Sequence, residues 1–108
     1  MSTAVVLQTT FTPPADGLVK VRCTSTMAIQ ETITGHIAGA IFVEQGGTTT
    51  YGLAEMRPPR YTKQAIVAED VFNVSAGSLV TLGLAAVRSG LAGASFELSK
   101  VEAWFTPT

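Results

Sequence analysis

Gly17-Leu18-Val19-Lys20-Val21-Arg22-Cys23-Thr24 alternates apolar and polar residues almost without a break. A period of two sends successive side chains to opposite faces of a strand. The stretch therefore predicts a half-buried β-strand with Val19, Val21 and Cys23 inward and Lys20 and Arg22 outward. Just upstream lies Phe11-Thr12-Pro13-Pro14-Ala15-Asp16-Gly17. Its two prolines remove ladder donors and its Asp-Gly pair favours a tight turn, so it breaks the chain between strands. Ala4 to Leu7, before that break, is a short apolar run of strand length.

The same reading extends to the C-terminus. Met27 to Ile33 alternates and is ended by Gly35, and Ile37 to Val43 follows. Gln45-Gly46-Gly47-Thr48 reads as a hairpin turn, with Thr49 to Met56 as the return strand and Tyr51 and Leu53 on one of its faces. Arg57-Pro58-Pro59-Arg60 is excluded from any central strand and reads as an exposed loop. Lys63 to Ala68 and Val71 to Val74 are expected as two short strands around a Glu69-Asp70 break. Ser75-Ala76-Gly77-Ser78 is a turn. Leu79 to Val87 is a strand that puts Val80, Leu82, Leu84 and Ala86 on one face. In the last strand, Ala94 to Phe105, Phe96 and Leu98 share one parity, whereas Val101, Ala103 and Phe105 have the other. A one-residue bulge near Ser99-Lys100 restores a single inward face. No helical period exceeds two turns. The prediction is an all-β chain: one antiparallel β-sandwich of about eight or nine strands, a single domain over residues 1–108.

Composition narrows the function. Charged residues make up 14% of the chain against about 25% in an ordinary soluble domain, and there is one His and one Cys. Such a surface suits a protein covered by neighbours, and the titratable groups an enzyme gathers are scarce. Surface scaling for 11.3 kDa buries about 65% of the unfolded chain's area, enough for a core without a disulfide or metal staple. Cys23 falls on the inward parity and is expected to be a buried, inert thiol. The net charge of −1 and the scattered basic residues speak against nucleic acid. Leu79 to Val87 is too short to span a membrane, and Met1-Ser2-Thr3 lacks a signal-peptide profile. A soluble protein assembled in a cytoplasm is expected.

Phe11, Pro14, Gly17 and Val19, followed later by Val74, Ala76, Gly77, Ser78 and Val80 and by an aromatic final strand, resemble the jelly rolls of the C1q and tumour-necrosis-factor type. The resemblance implies a jelly-roll-like sandwich whose last strand, with Phe96 and Phe105, closes the domain beside the first. Ser78 stands where that family usually has Asp. Small Thr- and Ala-rich jelly rolls of this kind also look like structural proteins of tailed bacteriophages. Among these are capsid decoration (cement) proteins and fibre tips, which are commonly homotrimers. That step is an analogy of fold.

The chemistry sought elsewhere is thin. Ser25, His36 and Asp70 supply the residue types of a triad without its spacing. Glu69-Asp70 reads as a solvated turn in preference to a cation site. Glu97 and Glu102 are expected either to share the outer face with Lys100 or to pair with a neighbouring strand. Arg57-Pro58-Pro59-Arg60-Tyr61 presents two guanidiniums and a Tyr on a stiff loop, residue types that carry binding energy at interfaces. Trp104 lies out of phase with Val101, Ala103 and Phe105. It is either an exposed indole buried by a neighbouring subunit or, with the register shifted, a core residue. Gly39, Gly52, Gly83 and Gly93 allow close backbone approach. The N-terminal arm Ser2 to Leu7, with Val5 and Leu7, is offered as an edge strand to a neighbour.

The expected protein is a non-enzymatic virion structural protein, a decoration protein on a phage capsid surface that clamps neighbouring capsid subunits. The expected contact residues are Arg57, Arg60, Tyr61, Trp104, Val5 and Leu7. Expected partners are further copies of the chain, as a homotrimer, and a major capsid protein, with no nucleic acid, membrane, metal or cofactor. The alternative is a receptor- or glycan-binding fibre tip that uses Tyr51, Tyr61 and Asp70.

Overall fold

The decisive alternation becomes the centre of a sheet. In the computed structural model, which describes residues 2–29, 35–57, 63–90 and 94–108, β2 (Gly17–Ile29) is flanked on both sides by antiparallel strands, β5 (Lys63–Val74) and β7 (Ala94–Pro107). Val19, Val21, Cys23 and Met27 point inward and are buried, while Leu18, Lys20 and Arg22 point out. The facing sheet has the order β1-β6-β3-β4, built from β1 (Ser2–Phe11), β6 (Val80–Gly90), β3 (Gly35–Gln45) and β4 (Thr48–Arg57), again all antiparallel. Its inner face supplies Ile41, Val43, Val80, Leu82 and Leu84, which close one core with the residues of β2 and with Ile66, Phe72 and Val74 of β5. The fold is the all-β antiparallel sandwich that the patterning predicts. Its long strands draw it out to 47 × 22 × 17 Å.

The described residues form seven strands, and two predicted breaks are absent among them. β2 continues through Ser25 and Thr26 instead of ending at Thr24. β5 runs straight through Glu69-Asp70, with Glu69 paired to Arg22 and Asp70 to Val21. Adjacent carboxylates need no turn here, since one faces the outer cations and the other the rim of the sandwich. The chain ends also differ from the jelly-roll expectation. β7 pairs with β2, and β1 pairs with β6 in the other sheet. The two terminal strands meet only across the sandwich, where the Phe11 and Phe105 rings lie 6.0 Å apart.

The turns follow their residue chemistry. Gly46 and Gly47 both adopt positive φ, 62° and 81°, as the tightest hairpin turn requires. The Gly47 N–H donates to Glu44 Oε1 at 2.9 Å. At the same end the Gln45 amide donates to the carbonyls of Ser75 and Ser78, and its oxygen accepts from the Ser75 N–H.

A bulge lies at Leu98-Ser99, one residue before the expected place. Ser25 of β2 faces both residues, and its hydroxyl contacts Ser99 Oγ at 2.8 Å and donates to the Glu97 carbonyl at 3.3 Å. Leu98 is therefore not on the inward face with Phe96. It takes φ 52° and stands 88% exposed. A side chain in the left-handed region is strained and glycine is not, so Leu98→Gly is expected to raise stability by about 0.5–1 kcal/mol. Urea unfolding checks this, and a lowered midpoint would contradict it.

Cys23 is buried and free. Burial pushes its thiol up to about 11, so it stays protonated at neutral pH. The native protein is expected to resist aromatic disulfide reagents at pH 8 and to react fully in urea. The stability contributed by the neutral thiol is whole below its ordinary value near 9 and is lost as the pH rises through about 11.

Candidate contact faces

β2 is central to its sheet, so its outward residues lie in rows with those of β5 and β7. The register sets Val71, Lys20 and Trp104 in one row, Glu69, Arg22 and Glu102 in the next, and Val67, Thr24 and Lys100 beyond. Trp104 does point outward, 46% exposed. Lys20 Nζ sits 5.8 Å and the Arg22 guanidinium carbon 5.9 Å from its ring. Glu69 draws both cations together, at 2.8 Å to Arg22 Nε and 3.1 Å to Lys20 Nζ. The Arg22 hydrogen bond first, then that of Lys20, holds its carboxyl below the usual carboxylate value. Lys100 and Glu102 pair at 3.8 Å on the same face, which Glu97 also shares through its register with Thr26.

The result is an indole braced by two fixed cations, on a sheet face that also exposes Leu18, Val67 and Val71. Exposed ion pairs contribute little to stability. Their chemical value here lies in preorganisation, because side chains already held in place lose less entropy on binding. Trp and Arg are also the residue types that most often dominate protein interfaces. Lys20 and Arg22 were legible as outward residues, but their place beside Trp104 depends on the β2–β7 pairing, which no local pattern reveals.

The other expected contacts are dispersed. Arg57 is the last residue of β4, its backbone paired with Ile37, and Arg60 and Tyr61 lie outside the described residues. Val5 and Leu7 lie on opposite faces of β1. The extra residue Val6 bulges β1, leaving Val5 outward and 57% exposed while Leu7 pairs with Leu84 and is half-buried. The N-terminal arm is thus already a strand of its own sheet. Each edge strand also carries a device that interrupts further pairing. β1, β4 and β7 have register irregularities, and β5 turns Asp70 toward the rim, with Oδ1 accepting from the Val71 N–H at 2.8 Å.

Ser25 is buried, with its hydroxyl occupied as described above. The His36 backbone pairs with Ser89 in β6. Among the described residues no group of three or more His, Cys, Asp or Glu is placed to hold a metal ion. Comparison with family models, with curated proteins and with solved structures gives no match for this chain.

Proposed function

We propose that this chain is a non-enzymatic structural protein that works by surface contact, and within that class a virion protein that decorates a phage capsid and clamps neighbouring capsid subunits. The observation that carries the contact reading is Trp104, half-exposed on the outer face of the β5-β2-β7 sheet and braced by Lys20 and Arg22. The low charge content and the phage-like jelly-roll resemblance support the virion setting. In this reading the partners are further copies of the chain, as a homotrimer, and a major capsid protein. Modest contacts repeated over many copies resist internal pressure through avidity.

Light scattering after size exclusion, over a range of concentrations, tests the assembly. A homotrimer is expected, and Trp104→Ala is expected to weaken its association at least tenfold, about 1.4 kcal/mol or more. A monomer at every concentration, or a trimer indifferent to Trp104→Ala, would sink this role for the face. A second reading, the receptor- or glycan-binding fibre tip, is favoured by one observation on the opposite sheet: the exposed Tyr51 ring beside a groove of mixed apolar and polar lining.

A further inference from the structure

The outer face of the β1-β6-β3-β4 sheet differs in chemistry from the face around Trp104. A groove of about 470 Å³ crosses it, within the range of small-ligand sites. Phe42 and Ala85 form an apolar, buried floor from the two central strands. Tyr51 on β4 borders the groove with its ring 52% exposed, and Gln8 on β1 stands at the other side. Across the strands this is a span of about 14 Å, from three inter-strand spacings.

The polar groups lining the groove are almost uncharged. Among the described residues they are the Gln8 amide, the Thr49 and Thr81 hydroxyls and the Tyr51 phenol, with Glu44 as the one ionised side chain. Glu44 is held in place because its Oε1 accepts from the Gly47 N–H at 2.9 Å. Among the described residues no Lys or Arg lines the groove. Among the described residues, the Gln8 amide and the Tyr51 hydroxyl have no intramolecular hydrogen-bond partner. An anionic ligand would meet a carboxylate and no cation here, and a purely apolar ligand would strand these donors and acceptors.

From this we infer that the groove is a binding site for a neutral saccharide. A pyranose ring has an apolar C–H face and a rim of hydroxyls. The first fits the Tyr51 ring and the Phe42 and Ala85 floor. The second fits the Gln8 amide, the two threonines and the fixed Glu44 carboxylate. The span suits a di- or trisaccharide laid across the strands. This deepens the fibre-tip reading by naming its ligand and site. It is independent of the assembly reading, which rests on the opposite face.

The test uses the intact protein and neutral trisaccharides of gluco, manno and galacto configuration, with a sialylated trisaccharide as the charged comparison. Binding is read by saturation-transfer NMR and calorimetry. At least one neutral trisaccharide is expected to bind, weakened at least tenfold by Tyr51→Ala and several-fold by Gln8→Ala. Tyr51→Phe should retain most of the affinity, since the ring face is kept. Both truncated residues are exposed, and unchanged thermal unfolding confirms that the variants fold. Binding of none of the neutral sugars, preference for the sialylated one, or affinity indifferent to Tyr51→Ala would each overturn the proposal. The assembly mass of Tyr51→Ala is measured in parallel. A change in mass without a change in sugar binding would make the groove a subunit interface and also overturn it. A wild-type protein that is monomeric at every concentration yet binds the sugar would sink the assembly reading alone.

Discussion

Gly83→Ala is expected to lower stability by about 3 kcal/mol, at the upper end of what overpacking costs, and to loosen the whole first strand. A Cβ on Gly83 would collide with the Leu7 carbonyl oxygen and lie 2.8 Å from Gln8 Cα and 2.9 Å from the Leu7 carbonyl carbon. All of these are backbone atoms, so no side-chain rotation relieves the clash. The strand itself must move, and β1 is held to its sheet only through β6. Two measurements separate this from ordinary core damage. The urea midpoint should fall together with the m-value, because a native state with a detached strand buries less surface. The amides of residues 2–11 should lose hydrogen-exchange protection while those of β2 keep theirs. A variant with wild-type midpoint and protected β1 amides would mean that the two strands are not so closely apposed.

Ile41→Ala is expected to cost about 3 kcal/mol, within the roughly 2–5 kcal/mol seen for fully buried aliphatic truncations. Ile41 has no exposed surface and sits on a central strand between the two sheets. The sheets are close there. A Cβ on neighbouring Gly39 would come 2.6 Å from Ile66 Cδ1, so a cavity next to it is walled by side chains already in contact. Because a domain of this size is stable by about 5–15 kcal/mol, the loss is a large fraction of the total. A fall in melting temperature of roughly 12 °C or more is expected at about 4 °C per kcal/mol. The m-value should stay constant, in contrast to Gly83→Ala. A fall under roughly 4 °C would show that the core relaxes around the cavity far more than its packing implies.

Reading the chain alone recovers features whose causes are local. Val19, Val21 and Cys23 are inward because alternation is a property of neighbouring residues. Gly46-Gly47 turns because only glycine adopts two positive φ values at little cost. Trp104 is outward because its parity differs from that of Val101 and Phe105. The misplaced features have distant causes. Glu69-Asp70 looks like a break until Lys20 and Arg22 arrive beside Glu69. Val5 and Leu7 have the same parity, yet the bulge at Val6 separates them. Leu98 shares the parity of Phe96, yet the bulge that accommodates Ser25 expels it.

The sequence alone determined that this protein is an all-β sandwich with one cleanly alternating strand at Leu18 to Thr24 and a free thiol on that strand's inward parity. Alternation and turn chemistry act within a few residues and survive any choice of neighbours. Only the tertiary structure decided that β7 joins β2 while β1 joins β6, that Trp104 points outward beside Lys20 and Arg22, and that Tyr51 borders a groove of mixed lining on the opposite face. Strand pairing couples residues far apart in the chain, and its register follows from filling one shared core. The two outer faces, and whatever they bind, are products of that pairing.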